Sequence, residues 1–205
     1  MAAKFESENA MLRVWLLLHR VNDALNLCQD SIFGEYGITT EQFRLLGAVR
    51  SRGASLRPSD LASILERSPN SVSMLVDRMV KAGLVKRARD RIDRRVVNVT
   101  LTDKGKNAVE QATPAGWEFT QRILSPLSDK DMRVLADLLE TIKCECLGYL
   151  NPEMDTAEII KNSVTNQPGL YERALKNLLP SGFAAKRRVA RRGKTSSPSA
   201  MTVSR

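Results

Sequence analysis

The sequence is poor in the residues that build metal centres and many catalytic sites. It contains one histidine, His19, and three cysteines, and aromatic residues make up 5% of the chain. Zinc sites and histidine-based catalytic triads therefore have almost no ligands or bases to draw on. Cys144 and Cys146 are two positions apart on a predicted helix, so their side chains point about 200° apart and cannot bind one metal ion together. We expect neither a metal site nor a cofactor.

Phosphate-binding and nucleophile motifs are also missing. The sequence has no Gly-x-Gly-x-x-Gly, no Gly-x-x-x-x-Gly-Lys-Ser/Thr and no Gly-x-Ser-x-Gly. The pair Gly105-Lys106 stands without the first glycine that a phosphate loop requires. These absences argue against an enzyme.

Long apolar runs are absent as well. The longest candidate, Val14–Leu18, is far shorter than the roughly 18 residues that a membrane-spanning helix needs. The first residues, Met1–Glu6, turn polar and acidic where a signal peptide would become apolar. An odd number of cysteines gives no disulfide framework and fits a reducing compartment. The sequence predicts a cytoplasmic protein without a membrane span.

Positive charge is what the chain has in excess. The net charge is +9 with a pI near 9.8, which is typical of a protein that meets nucleic acid or an anionic surface. Six of the ten residues from Lys86 to Arg95 are cationic. A second cluster of six lies in the tail, and without it the net charge would fall to +3 (9 minus 6): Lys186, Arg187, Arg188, Arg191, Arg192 and Lys194.

Apolar periodicity and capping residues predict an N-terminal pair of helices. A 3.6-residue stripe runs from Met11 to Ile32, and a second apolar row makes this helix suited to a core and an interface at once. Thr39 and Gln42 form a predicted capping box that starts a second helix, which ends near Arg50.

Two shorter helices and a hairpin follow. Pro58 opens a third helix that ends near Glu66, and Ser68 caps a fourth that Gly83 ends. In the basic hairpin that comes next, alternation predicts that the return-strand residues Val97, Val99 and Leu101 point inward.

The remaining helices occupy the second half of the chain. A helical stretch from Thr102 is predicted to be interrupted by Pro114, and Ser128 caps a last long helix. We therefore divide the chain into a domain over residues 1–150 and an extension over 151–205. The extension holds a candidate short helix at about 169–179 and a basic tail that is predicted to be disordered.

Two short helices joined by a tight turn, followed at once by a basic two-stranded hairpin, have the sequence form of a winged helix-turn-helix. The fold class is thus mainly α with a small β-hairpin wing, and the N- and C-terminal helices are left for dimerisation. This order favours double-stranded DNA as the partner. The leading hypothesis is a sequence-specific transcriptional regulator, and the alternative is a nucleoid-type or other non-specific nucleic-acid-binding protein.

The segment Leu56–Gly105 resembles the MarR-type winged-helix regulators. The resemblance lies in Pro58–Ala62 (PSDLA), Val76–Val85 (VDRMVKAGLV), Asp93–Arg95 (DRR) and Val99–Gly105 (VTLTDKG). It implies a homodimer on a palindromic operator. It also implies a repressor that is relieved by a small organic anion or phenolic ligand, or by thiol oxidation.

The resemblance carries the family's roles to particular residues. Ser71 and Ser73 match groove-facing positions, Arg95 the wing-tip arginine and Asp93 the acid that orients the wing. Met74 stands where many relatives have arginine, and Arg57 stands where a threonine cap is usual, so Arg57 is a candidate phosphate contact. The complete expected DNA-binding set is Arg57, Asn70, Ser71, Ser73, Met74, Arg78, Arg91, Arg94 and Arg95.

Trp15, His19 and Cys28 each allow a functional and a purely structural interpretation. Trp15 and His19, four apart on one helix face, are either part of an effector pocket or interface packing, and packing is favoured. Cys28 is either a redox sensor or an inert core thiol, and its place in the apolar stripe favours the core thiol. Cys144, which faces away from the stripe that holds Cys146, is expected to be exposed.

Overall fold

The computed structural model describes residues 2–52, 55–89, 97–150 and 152–153, with side chains from residue 8 onward. Within these residues the chain forms six helices and one antiparallel hairpin. The bounds are α1 (Ala2–Gly34), α2 (Thr40–Ser51), α3 (Pro58–Ile64), α4 (Pro69–Lys81), β1 (Val85–Arg89), β2 (Val97–Leu101), α5 (Asp103–Leu124) and α6 (Asp129–Leu150). The predicted fold class is confirmed. The extension 151–205, including the candidate helix at 169–179, lies outside the described residues apart from 152–153.

One hydrophobic core joins α2, α3, α4, the hairpin and α5. Its largest fully buried side chains are Leu45, Leu46, Leu61, Met79, Val49, Val72, Val76, Val85, Val99 and Val109. Each buried aliphatic side chain of this size contributes about 1.5–3 kcal/mol relative to exposure, so the core fixes α4 and the hairpin on one scaffold. The backbone of Leu56 extends the hairpin by pairing with Val99, at 3.1 and 2.7 Å.

The end of α1 is joined to the start of α2 by packing and by a cap. The buried ring of Phe33 stacks on Phe43 with centroids 4.1 Å apart. The Asp30 carboxylate accepts a hydrogen bond from the Thr40 backbone N–H at 2.9 Å. The Thr40 hydroxyl and this N–H hold the pKa of Asp30 below its ordinary value. The predicted Thr39–Gln42 capping box is present.

The base of the hairpin is locked to α5 by a threonine and a glycine. Thr102 caps α5 by accepting from the Gly105 N–H at 3.1 Å, and its hydroxyl also lies 2.6 Å from the Gly83 carbonyl oxygen. Gly105 leaves room for the Leu84 carbonyl, which any Cβ at that position would overlap. The motif around Gly105 therefore allows the base of the hairpin to pack closely against α5.

Helix α1 begins at Ala2, before the apolar stripe that starts at Met11. Two expectations about the elements are wrong. Helix α5 runs through Pro114 without interruption, because Val109, Ala112 and Thr113 bury one side of it in the core and packing outweighs the lost hydrogen bond. Val97 is 37% exposed rather than inward, because it pairs with Arg89 at the end of the hairpin where the two strands connect, away from the core that buries Val85 and Val99.

Helices α1 and α6 expose apolar side chains that the described protomer does not cover. No residue of α6 is buried, although Ser128 and Asp131 cap it as predicted, with the Ser128 Oγ and N–H both bonded to the carboxylate. The exposed set is Met11, Leu12, Val14, Trp15, Leu16, Leu17, Val21 and Leu27 on α1, and Val134, Leu135, Leu138, Leu139, Ile142, Tyr149 and Leu150 on α6. Among the described helices, none is long and apolar enough to cross a membrane.

The cysteines do not lie where the periodicity placed them. Cys28 is exposed, so the expectation of an inert core thiol is wrong for the protomer. The reason is that the stripe it belongs to continues past the core onto the uncovered part of α1. Cys144 is half-buried rather than exposed as expected, and Cys146 is exposed. The apolar side of α6 that holds Cys146 faces outward.

Candidate nucleic-acid interface

Helix α4 begins with the cap that the sequence predicts. The Ser68 side chain accepts a hydrogen bond from the Ser71 N–H at 3.2 Å, and Pro69 occupies the first turn. The hydroxyls of Ser68 and Ser71 are 2.8 Å apart. The Ser71 hydroxyl is therefore exposed to solvent, but it also lies within hydrogen-bonding distance of the Ser68 hydroxyl at the start of the helix.

The two sides of α4 divide cleanly between core and solvent. Val72, Leu75, Val76 and Met79 are buried. The exposed residues on the opposite side are Asn70, Met74, Asp77 and Lys81. At 100° per residue they lie within an arc of about 60°, which we call the outward arc of α4. Met74 is 58% exposed at this outward surface. The arc is free to approach a partner along the length of the helix.

Ser71 and Ser73 do not share a face. They are two positions apart, about 200° around the helix, and Ser73 is half-buried while Ser71 is exposed. Arg78 lies on the same flank as Ser71. The expected groove-facing pair thus divides between the two edges of the outward arc.

The turn between α3 and α4 uses an unusual backbone conformation. Glu66 has φ of 50°, the left-handed region that non-glycine residues seldom adopt, and the Arg67 N–H donates to the Ala62 carbonyl at 3.0 Å. The Glu66 carboxylate also pairs with Lys143 of α6 at 2.7 Å.

Arg57 precedes α3 as its N-cap residue but provides no side-chain cap. The Asp60 carboxylate accepts from the Arg57 backbone N–H at 3.1 Å. The Arg57 guanidinium can only donate hydrogen bonds, so it takes no part in capping. It is exposed at the start of the helix, as a phosphate contact would require.

The hairpin lies beside α4 and is tied to it by an ion pair. Arg87 of β1 contacts Asp77 of α4 at 2.7 Å, while Lys86 and Arg89 are exposed along the same strand. The predicted wing residues Arg91, Asp93, Arg94 and Arg95 lie outside the described residues. The described part of the hairpin still places Arg87 against the outward arc of α4.

A groove between α2, the α3–α4 turn and α4 contains charged residues that the sequence analysis did not associate with one another. Its volume is about 460 Å³, and its lining includes Arg44, Arg67 and Arg78. Glu41 pairs with Arg67 at 2.8 Å and with Arg78 at 4.0 Å. Sequence reasoning missed Glu41, Arg44 and Arg67, because nothing local indicates that α2 meets this edge of α4.

The remaining candidate residues lie on α1. Trp15 and His19 form an edge-to-face pair with ring centroids 4.6 Å apart, and Trp15 is 60% exposed. The structure brings the two rings together on the uncovered part of the helix. Among the described residues no cluster of His, Cys, Asp and Glu could hold a metal ion.

Comparisons with known proteins agree on one family. The model of the MarR family matches residues 36–96. The chain is 30% identical over 128 residues to the transcriptional regulator PecS of Dickeya dadantii, covering 62% of this chain and 77% of that protein. It is 31% identical over 96 residues to the transcriptional repressor MdtR of Bacillus subtilis, covering 47% of this chain and 61% of that protein.

A solved structure supports the same assignment. A mutant MarR from Escherichia coli complexed with operator DNA superposes with a TM-score of 0.60 at 27% identity, over 65% of this chain and 96% of that one. The winged helix-turn-helix built from α3, α4 and the hairpin is thus the fold of known regulators. The chain belongs to the MarR family of transcriptional regulators.

Proposed function

We propose that this regulator is a repressor that binds a palindromic operator as a homodimer, with α4 in the major groove and the hairpin beside it. The observation that carries the proposal is the outward arc of α4, which lies next to the cationic strand β1. A major groove about 12 Å wide admits one α-helix, and a helix with an exposed amide and flanking cations can contact base edges and phosphates together.

Different residues of the interface take different parts in this proposal. Asn70 and Met74 on the arc, with Ser73 at its edge, face base edges. Arg57 and Arg78 contact phosphates, and Ser71 contributes mainly by holding the start of the helix. The sequence assigns Arg91, Arg94 and Arg95 to the backbone or the minor groove, with Asp93 orienting them.

The homodimer is supported by the uncovered apolar surface. Helices α1 and α6 come from opposite ends of the domain, and each exposes large aliphatic side chains along its length. A patch of this extent marks an interaction surface, because a soluble monomer seldom leaves one open to water. A second copy related by a twofold axis would cover it and present two α4 helices to two operator half-sites.

The effector in this proposal is a small organic anion or phenol. Trp15 and His19 offer an aromatic surface on a dimerisation helix, so a ligand there would change the spacing of the two α4 helices and shift the population away from DNA binding. The exposed thiol of Cys28 supports oxidation as the alternative switch. The compartment proposed for this activity is the cytoplasm.

The test is a selection of genomic fragments on the purified full chain, followed by titrations against the selected fragment and random DNA. A regulator should prefer its operator by ~10³-fold or more. A chain that binds every fragment equally would instead be a non-specific nucleic-acid-binding protein. Light scattering on the same preparation measures the dimer, and a panel of phenols and aromatic acids added to the titration measures the effector response.

A further inference from the structure

An acidic side chain occupies the groove at the edge of the DNA-facing helix. Glu41, in the first turn of α2, reaches across to Arg67 in the α3–α4 turn at 2.8 Å and to Arg78 of α4 at 4.0 Å. One carboxylate thus contacts two arginines that come from different elements and offsets one of their two positive charges.

The fold has little need of these ion pairs. The side chains of Glu41, Arg67 and Arg78 are 42%, 49% and 66% exposed, and pairs this open to water contribute little to stability. A carboxylate next to cations that face phosphates also opposes DNA binding, because binding strength depends on how many phosphates the protein neutralises. Glu41 lies in the first turn of α2, where the helix dipole favours a carboxylate, but this does not require contact with either arginine. The contacts of Glu41 with the two arginines therefore have a cost for affinity without a matching gain in stability.

We propose that Glu41 is a specificity-determining residue, which holds Arg67 and Arg78 back from phosphates until α4 is seated on the operator. This inference rests on the proposed DNA binding by α4. On random DNA, a phosphate must displace the carboxylate with no help from base contacts. On the operator, contacts of α4 to base edges fix the backbone beside the two arginines, so the exchange of carboxylate for phosphate becomes favourable.

The experiment compares wild type with Glu41→Gln on a random-sequence duplex and on the selected operator fragment, over a series of salt concentrations. We expect the variant to bind random DNA about fivefold more tightly. The slope of log affinity against log salt should steepen by about one on random DNA. The operator should gain less, so that the specificity ratio falls.

Two further sets of variants show whether Glu41 acts through the arginines. Glu118→Gln makes the same charge change at an exposed position of α5 that does not line the groove, and it should leave both affinities unchanged. In the Arg67→Gln/Arg78→Gln background, Glu41→Gln should have no further effect. Thermal unfolding followed by circular dichroism checks that each variant is folded.

Several results would overturn the inference. They are unchanged or weaker binding of Glu41→Gln to random DNA, an equal gain on both duplexes, an equal effect of Glu118→Gln, or a persistent effect without the two arginines. Failure of the proposed function looks different, because the wild-type protein would then show no preference for any fragment. Without a preferred fragment there is no specificity ratio for Glu41 to control. The specificity role would then be overturned as well, even if Glu41→Gln still bound random DNA more tightly.

Discussion

The hydroxyls of Ser68 and Ser71 lie 2.8 Å apart at the first turn of α4, and the Ser68 side chain also accepts from the Ser71 backbone N–H. This small cluster fixes where α4 begins. It also places the Ser71 hydroxyl, at a position that resembles a base-contacting one, against the cap of the helix.

The capping cluster leads to a prediction about stability. Ser68→Ala should lower the free energy of unfolding by about 1 kcal/mol, because an N-cap acceptor is lost. Ser71→Ala removes only a neighbouring hydroxyl and leaves the cap acceptor, so we expect it to cost less than half as much. Urea titrations of the two variants against wild type measure the difference. Equal costs would mean that the cap depends on both hydroxyls together.

Asn70 leads to a prediction about sequence recognition. It lies on the outward arc of α4, where its amide can pair with a base edge. Asn70→Ala should cost about 1–3 kcal/mol on the operator and little on random DNA. Lys81→Ala, at the far end of the same arc, is the matched comparison. It should weaken both duplexes alike and reduce the salt slope by about one, as expected for a phosphate contact. A uniform loss for Asn70→Ala would remove Asn70 from base recognition.

Local signals in the sequence predicted the starts of several helices and the buried side of α4. The caps at Thr39, Ser68 and Ser128 and the stripe of α4 depend on residues within a few positions of one another, so they can be found without knowing the fold. The prediction that α5 is interrupted at Pro114 was wrong because the cost of a proline is local, whereas the burial that offsets it comes from distant elements.

The candidate site was predictable in part for the same reason. The outward residues of α4 follow from helical periodicity, but the groove joins Glu41 to Arg67 and Arg78 across three separate segments. Cys28 shows a second limit. Periodicity identifies an apolar stripe, but it cannot say whether the stripe is covered by the same chain or left open for another.

Two glycines give a matched test of the packing beneath the wing. A Cβ at Gly105 would overlap the Leu84 carbonyl oxygen and press on Leu46, so Gly105→Ala should cost about 2–4 kcal/mol and weaken DNA binding by displacing the hairpin. Gly47, inside α2, has open space where a Cβ would stand, with no neighbouring atom within 4 Å. Gly47→Ala should therefore stabilise the protein by about 0.5–1 kcal/mol. Denaturant midpoints measure both, and a tolerated Gly105→Ala would show that the hairpin base can move.

The pKa of Asp30 gives a prediction about pH. Since the Thr40 hydroxyl and N–H lower this pKa in the folded protein, the carboxylate stabilises the fold fully above its unfolded value and less as pH falls through the folded one. Asp30→Asn should therefore be less stable than wild type near neutral pH, and the gap should begin to narrow below about pH 4 and close as pH falls through the lower pKa of the folded state. Asp23→Asn removes an equal charge from the same helix and should show a smaller gap. A gap for Asp30→Asn that persists at low pH would assign the effect to something other than ionisation.

The uncovered stripe of α6 gives the prediction that bears most directly on assembly. Leu138 is 57% exposed, and no residue of α6 is buried in the protomer, so a charge at this position should spare the fold but break a dimer interface. We expect Leu138→Glu to raise the dimer dissociation constant by about a hundredfold, the effect of losing an interface residue worth about 2–3 kcal/mol.

Arg133→Gln is the control for Leu138→Glu. It lowers the net charge by the same amount on α6, about 140° around the helix from Leu138, and should leave the dimer intact. Analytical ultracentrifugation measures the dissociation constant, and circular dichroism confirms that the helices are retained. The monomeric variant should also lose affinity for a palindromic operator far more than for a single half-site, because only a dimer places two α4 helices on one duplex. If Leu138→Glu stays dimeric and binds the palindrome as wild type does, α6 lies outside the interface and the exposed stripe has another partner.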